Sequence, residues 1–150
     1  MAKPWIHALS SVKKFGGIPE DYIKIHNMMD SSKGAIPDNR HRCLTHNSWF
    51  IAADGPLETM FGVVIINSDD REISVRDIAE QHILEDFGGK FIPTAMDYME
   101  NVECDQWMTD GTGKPPTSHK ALDKKSTLTS ITIEDFLNKD LSVRSPHTFD

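Results

Sequence analysis

Apolar residues recur at helical spacing in several parts of the chain. In segment 19–33, Tyr22, Ile25 and Met29 recur every three to four residues, which predicts one apolar face of an α-helix. Pro19, followed by two acidic residues, suits the first turn of such a helix. The same reasoning predicts four helices in all, over residues 19–33, 38–53 with a resumption at 57–61, 75–87 and 92–102.

Between the second and third predicted helices the pattern changes. Two β-rich runs in "FGVVIINSDDREISV" flank residues 67–70, whose Asn, Ser and Asp side chains favour a turn. This predicts a β-hairpin. The sequence therefore indicates an α+β fold, a mainly helical single domain with one β-hairpin and an extended C-terminal tail.

Residues 1–108 are predicted to be the compact domain, and residues 109–150 a linker with a short docking helix. Segment 109–126 has a linker composition rich in Gly, Pro, Ser and Lys. Beyond it, Thr132 resembles a helix cap, and several apolar residues follow on a polar background. Because so short a helix is marginal alone, it needs a docking surface, either on the protein's own domain or on another chain. Of these two we expect the tail to bind a protein partner or other subunits.

The bulk composition narrows the classes of function. A length of 150 residues suits one domain. A net charge of −7 argues against non-specific nucleic-acid binding, which needs clustered Lys and Arg. Two isolated cysteines form no metal or disulfide framework, and no apolar run predicts a signal peptide or a membrane span. The expected location is the cytoplasm, or a virion assembled there.

The third predicted helix carries a histidine and a carboxylate where apolar residues are expected. On a helical wheel, His82 and Asp86 lie one turn apart inside the arc of Val75, Ile78 and Ile83. Both side chains should therefore be buried and need a partner or a metal ion.

The first predicted helix repeats the spacing, with His26 and Asp30 again four residues apart. Two such pairs, converging from separate helices, would suit Zn, Mn or Fe(II). The predicted metal ligands are therefore His26, Asp30, His82 and Asp86. The competing interpretation is that each pair is only an intrahelical hydrogen bond.

Segment "RHRCLTH" adds further candidates. Arg40, His41 and Arg42 form a positive run that suits a phosphate or carboxylate, although surface ion pairing would explain it equally. His41 and His46 are five residues apart, about 140° around a helix, so they cannot reach one ion unless the helix breaks.

Over roughly residues 4–108, the chain resembles an uncharacterised family of short bacterial and phage proteins. The segments that carry the resemblance are "HALSSVKKFGGIPEDYIKIHNMMDSSK", "RHRCLTH", "IINSDDREISVRDIAEQHILEDFG" and "WM". The family has no established activity. The resemblance implies a shared polar pattern, from which Asn47, Asp70 and Ala79 depart. The pattern comprises His7, His26, Asp30, Lys33, Arg40, His41, Arg42, His46, Arg76, Glu80, Gln81, His82, Glu85 and Asp86.

Two functions compete at this point. The first is a non-catalytic phage-type assembly, virion or host-interaction protein with a structural His/carboxylate metal site. The alternative is a metal-dependent hydrolase acting on a phosphate ester or nucleotide. In the alternative, Glu80 or Glu85 would be the general base, and the two arginines would bind the phosphate.

Overall fold

The computed structural model describes residues 3–114. These residues form a mainly helical fold with one two-stranded antiparallel sheet, which confirms the predicted α+β class. The α-helices and strands of this range are α1 (Pro4–Phe15), α2 (Ile23–Asp30), α3 (Arg42–Thr45), α4 (Pro56–Phe61), β1 (Val64–Ile66), β2 (Glu72–Ser74), α5 (Val75–Asp86), α6 (Ala95–Met99) and α7 (Gln106–Asp110). Short 3₁₀ segments cover Pro19–Asp21, Ser31–Gly34 and Asn39–His41.

Helices α1, α2 and α5 pack on one another and form the centre of the fold. Helix α2 is buried on nearly all sides, and of its eight residues only Lys24 is exposed. Ile25 and Met29 of α2 and Ile78 and Ile83 of α5 belong to the buried apolar core. Polar side chains of these helices therefore face one another in a space closed by apolar neighbours.

Helix α1 is absent from the four predicted helices. Pro4 at its first turn, Lys13 and Lys14 in its last turn and Gly16 beyond its end are ordinary helix signals. Gly16 has a φ of +83°, a conformation that suits glycine. This helix supplies His7 and Ser11 to the interior, so the omission matters for the site.

The second predicted helix, 38–53, is wrong in extent. The helical segment ends at Thr45, and residues 46–53 form turns. The side chain of Asn47 donates to the backbone oxygen of Cys43 at 2.9 Å and accepts from the backbone N–H of Phe50 at 2.9 Å. Because these bonds occupy backbone groups that a longer helix would use, they hold the chain in a turn.

The hairpin and the later helices agree with the sequence patterns. Strands β1 and β2 pair in the register Val64↔Ser74 to Ile66↔Glu72. The first predicted helix is present as α2 with 3₁₀ turns at both ends, and the third is α5. The fourth predicted helix, 92–102, is present only as the shorter α6, where Thr94 and Asp97 form the predicted capping box.

None of the helices in residues 3–114 is long and apolar enough to cross a membrane. The predicted docking helix and most of the predicted linker lie outside the described residues. Helix α7 extends two residues beyond the predicted domain boundary at 108.

Candidate metal centre

Four side chains from three parts of the fold converge in the interior. Asp30 is the last residue of α2, His46 directly follows α3, and His82 and Asp86 lie one turn apart on α5. One ligand atom from each lies within 4.8 Å of the others. This group is here called the four-residue cluster.

The distances within the four-residue cluster are short. His46 Nε2 lies 2.9 Å from Asp86 Oδ2 and 3.7 Å from Asp30 Oδ1. His82 Nε2 lies 3.2 Å from Asp30 Oδ1 and 3.5 Å from Asp86 Oδ2. Each histidine thus presents the same ring nitrogen to both carboxylates.

The cluster is closed to solvent. The side chains of Asp30, His46 and His82 are fully buried, and that of Asp86 is 1% exposed. Buried carboxylates and imidazoles are found in proteins only with partners, protons or metal ions that compensate their desolvation.

The other ring nitrogen of His46 is held by a hydroxyl. Thr45 Oγ1 donates its single hydrogen to the backbone oxygen of Met29 at 2.6 Å, so it can only accept from His46 Nδ1, 2.9 Å away. Burial lowers the pKa of His46, and the contact with Asp86 acts in the opposite direction. When Nδ1 holds the only ring hydrogen, Nε2, which faces Asp86 and Asp30, is the nitrogen that is free to bind an ion.

His26 is a predicted ligand but lies outside the four-residue cluster. The His26 and His82 rings are adjacent, with their Nδ1 atoms 2.9 Å apart, so this nitrogen of His26 is taken by His82. The other nitrogen of His26 contacts Ser11 Oγ at 2.7 Å. His26 therefore supports a member of the cluster, and His46 stands in the predicted place of His26.

His7 covers one side of the cluster. Its ring stacks on His82 with 3.8 Å between centroids. Nδ1 of His7 contacts Glu85 Oε1 at 2.8 Å, and its Nε2 lies 3.3 Å from Asp86 Oδ1. Burial alone would lower the pKa of His7, but Asp86 and Glu85 outweigh it and raise that pKa to about 9. His7 is therefore positively charged at neutral pH.

Two further cations flank the carboxylates. Lys33 Nζ lies 3.6 Å from Asp30 Oδ2, and an Arg42 nitrogen lies 4.0 Å from Asp86 Oδ2. Burial acts to raise the pKa of both carboxyls, yet the neighbouring histidines hold the pKa of Asp30 and of Asp86 well below the usual range. Both are ionised, as ligands must be. Because cations already balance them, the case for an ion rests on geometry and not on charge.

The predicted anion-binding run does not converge on one point. Arg40 is exposed and pairs with Asp38 at 2.7 Å, and Arg42 faces Asp86. His41 is buried with Nδ1 2.8 Å from Ser32 Oγ, and its ring lies 5.3 Å from that of His46. The break after Thr45 is what lets both histidines face inward.

The two glutamates of the hydrolase alternative lie apart from the ligand atoms. Glu80 forms an ion pair with Arg76 at 3.0 Å on the outer side of α5. Glu85, with a side chain 34% exposed, contacts His7 and the Ser10 hydroxyl. In this arrangement Glu85 orients His7.

Several contributors to the site were not singled out as site residues from the sequence. Ser11, Thr45 and Gln81 are buried and hydrogen-bonded around the histidines. The signals for Ser11 were the Pro and Gly that bound α1, which place it one turn after His7. For Thr45 no local signal existed, because its role depends on where α3 ends.

Comparison with known proteins gives a class but no activity. The model of a domain of unknown function, DUF6915, matches residues 2–108. The chain belongs to this family. No curated protein and no solved structure matches it. The family match agrees with the extent of the resemblance seen in the sequence, and residues 109–150 lie beyond it.

Proposed function

We propose that this chain is a non-catalytic interaction protein whose folded unit is held by one divalent transition-metal ion, bound by Asp30, His46, His82 and Asp86. The observation that carries the proposal is the spacing of these ligand atoms. Tetrahedral bonds of about 2.0–2.2 Å place ligand atoms about 3.3–3.6 Å apart. The four histidine-to-carboxylate distances, 2.9, 3.2, 3.5 and 3.7 Å, scatter around that value.

The burial of the cluster supports a structural role for the ion. Structural zinc sites take all four ligands from the protein, whereas catalytic sites keep one position for water or substrate. Here four protein ligands enclose a point to which solvent has almost no access. Two imidazoles and two carboxylates suit Zn²⁺ first, with Mn²⁺ and Fe²⁺ as other candidates.

The origin of the ligands explains what an ion would do. They come from α2, from the turn after α3 and from α5, and His46 lies outside the regular helices. One ion would therefore tie the irregular segment 46–53 to the two central helices. Binding free energy of this kind adds directly to folding stability.

The ion is tested on the full-length, untagged protein. After treatment with a chelator, Zn²⁺ is titrated in competition with a chromophoric chelator, and bound metal is measured by mass spectrometry. We expect one equivalent, and a melting temperature that rises by ~10 °C at a free metal concentration of about 100 Kd, from about 2.7 kcal/mol of linkage.

Matched variants make that test specific. His46→Ala should lose the bound equivalent, because it removes a ligand. His41→Ala removes a neighbouring buried histidine outside the cluster and should keep it. A wild-type chain that binds no metal, with a melting temperature indifferent to Zn²⁺, would refute the proposal.

The interaction role rests on the C-terminal tail. Residues 109–150 extend beyond the family match and carry Ile131, Ile133, Phe136, Leu137 and Leu141 on a polar background. Apolar residues in such a segment favour docking on another protein surface, here another subunit. Neither the fold nor the family match points to a virion, so the proposal does not extend to one.

The tail is tested in the intact chain by sedimentation velocity. Phe136→Asp should lower the average mass if the tail joins subunits, and Ser130→Asp, which adds the same charge without removing an apolar residue, should not. Equal sedimentation of wild type and Phe136→Asp would contradict subunit docking.

A hydrolase is the second candidate, and one observation favours it. The Arg42 side chain is 12% exposed and reaches to 4.0 Å from Asp86, so a cation spans the distance from a ligand to the surface. Such a cation could bind a phosphate. Hydrolysis of an activated phosphodiester by the metal-loaded protein, lost in Arg42→Gln, would favour this function over the structural one.

A further inference from the structure

Nδ1 of His82 belongs to a buried chain of hydrogen bonds, and the contacts along the chain identify the donor and the acceptor in each bond. The chain runs from Gln81 through Ser11 and His26 to His82, and every member is 4% exposed or less. It crosses from α5 to α1, then to α2, and back to α5.

The chain begins at the Gln81 amide, whose orientation is fixed. Its Nε2 donates to the backbone oxygen of His7 at 3.1 Å and to Glu85 Oε1 at 3.1 Å. Both partners are acceptors only, so a flipped amide would set oxygen against oxygen. Oε1 of Gln81 must therefore be the atom that faces Ser11 Oγ, 2.7 Å away.

Ser11 has one hydrogen to donate. Its two acceptor-only neighbours are Gln81 Oε1 at 2.7 Å and the backbone oxygen of His7 at 3.0 Å. The hydrogen goes to one of these, so it cannot go to His26. The contact of 2.7 Å between Ser11 Oγ and His26 Nε2 is then an N–H donated by His26.

Because Nε2 of His26 carries a hydrogen, the state of the other ring nitrogen, Nδ1, follows. The His26 ring is fully buried, and its nitrogens contact a hydroxyl and another imidazole, neither of which compensates the charge that a second ring proton would bring. Nδ1 of His26 therefore carries a lone pair. The atom facing it, 2.9 Å away, is Nδ1 of His82, which must donate. When Nδ1 holds the only hydrogen of the His82 ring, the Nε2 lone pair is aimed at Asp30 and Asp86.

We propose that Ser11 and Gln81, acting through His26, are positioning residues that hold His82 in the Nδ1-protonated tautomer and leave Nε2 free for the ion. This inference rests on the proposed metal site. It matches the general finding that a ligating histidine donates its other N–H to an oriented partner, whose loss weakens metal binding 10–100-fold. The Thr45 hydroxyl serves His46 in the same way, so both histidines present Nε2 to the same two carboxylates.

The test compares two neighbouring serines of α1 in the full-length protein. Ser11→Ala should weaken Zn²⁺ binding about 10–100-fold in the competition titration. Ser10→Ala is the matched control and should leave the affinity unchanged, because the Ser10 hydroxyl contacts Glu85 Oε2, the oxygen that Gln81 does not use. Ser11→Thr restores a hydroxyl and should recover most of the affinity.

A second measurement reads the tautomers directly and needs no variant. Two-bond ¹H–¹⁵N correlation spectra of the wild-type protein distinguish protons on Nδ1 from protons on Nε2. We expect His26 protonated on Nε2 and His82 on Nδ1. The opposite tautomers, or Ser11→Ala binding Zn²⁺ as tightly as wild type, would overturn the inference.

The two proposals fail in different ways. A wild-type chain that binds no Zn²⁺ refutes the metal site, and the tautomers still report on the hydrogen-bond chain. A chain that binds one equivalent of Zn²⁺, but whose His82 is protonated on Nε2 when the spectra are recorded in chelator, keeps the metal site and refutes the positioning role.

Discussion

Asp86→Asn removes the charge at the centre of the cluster while keeping the shape of the side chain. Asp86 accepts from or faces four groups: His46 at 2.9 Å, His7 at 3.3 Å, His82 at 3.5 Å and Arg42 at 4.0 Å. The amide would leave the positive charge of His7 with Glu85 as its remaining close partner.

The size of the effect follows from burial. Removing one partner of a buried charged network costs about 3–5 kcal/mol, because the other charge is left desolvated and uncompensated. The depressed pKa of Asp86 also predicts a loss of stability, since it means that the ionised carboxylate stabilises the folded state. An exposed i,i+4 ion pair contributes only about 0.3–0.5 kcal/mol.

The assay is urea unfolding followed by circular dichroism, first in chelator so that metal binding does not contribute. Asp86→Asn should lower the free energy of unfolding by about 3–5 kcal/mol with an unchanged m-value. Glu80→Gln, on the same helix, breaks the exposed pair with Arg76 and should cost about 0.5 kcal/mol or less.

Adding Zn²⁺ then separates the two roles of Asp86. Wild type should gain stability, and Asp86→Asn should gain little. If Asp86→Asn were as stable as Glu80→Gln in chelator, the reasoning about a compensated charge network would be refuted.

Three further predictions concern residues that are not members of the cluster. Asn67→Ala should cost about 2–4 kcal/mol in urea unfolding, because the buried Asn67 amide makes four hydrogen bonds in and around the hairpin loop; a loss below 1 kcal/mol would contradict this. Asp70→Gly should raise stability by up to about 1 kcal/mol, because Asp70 has a φ of +60°, and a lower stability would show that its side chain matters more. Burial raises the pKa of Tyr22, and it raises that of Tyr98 to about 12. Near-ultraviolet absorbance at about pH 10, where unfolded tyrosine ionises, should therefore show less phenolate in the folded than in the unfolded chain. The free energy of unfolding should fall as pH rises above that value. Titration of both tyrosines near pH 10 in the folded state would contradict this.

Local sequence patterns correctly predicted those helices and turns whose capping or turn residues lie within or directly beside them. Thr94 and Asp97 are three residues apart and cap α6, and residues 67–70 turn the hairpin. The helical wheel of α5 also correctly predicted that His82 and Asp86 face inward, because the apolar residues that define the buried arc belong to the same helix. Fold class and three members of the cluster therefore followed from the sequence.

The second helix shows where such patterns fail. A helical period through residues 38–53 overlooks the Asn47 side chain, which competes for backbone groups and ends the helix after Thr45. The turn that these two Asn47 hydrogen bonds hold directs His46 into the cluster and away from the direction it would have in a continuous helix. A pattern that assumes continuous helix puts His41 and His46 about 140° apart and cannot show this.

Only the tertiary structure showed that His46, and not His26, belongs to the four-residue cluster. Both histidines are buried, and both stand close to His82. Which one faces the carboxylates depends on how α1, α2 and α5 pack, since Ser11 of α1 takes one nitrogen of His26 and His82 takes the other. Spacing along one helix fixes only which side chains share a face, whereas a ligand set needs the distances between helices, and those arise only when the whole core is packed.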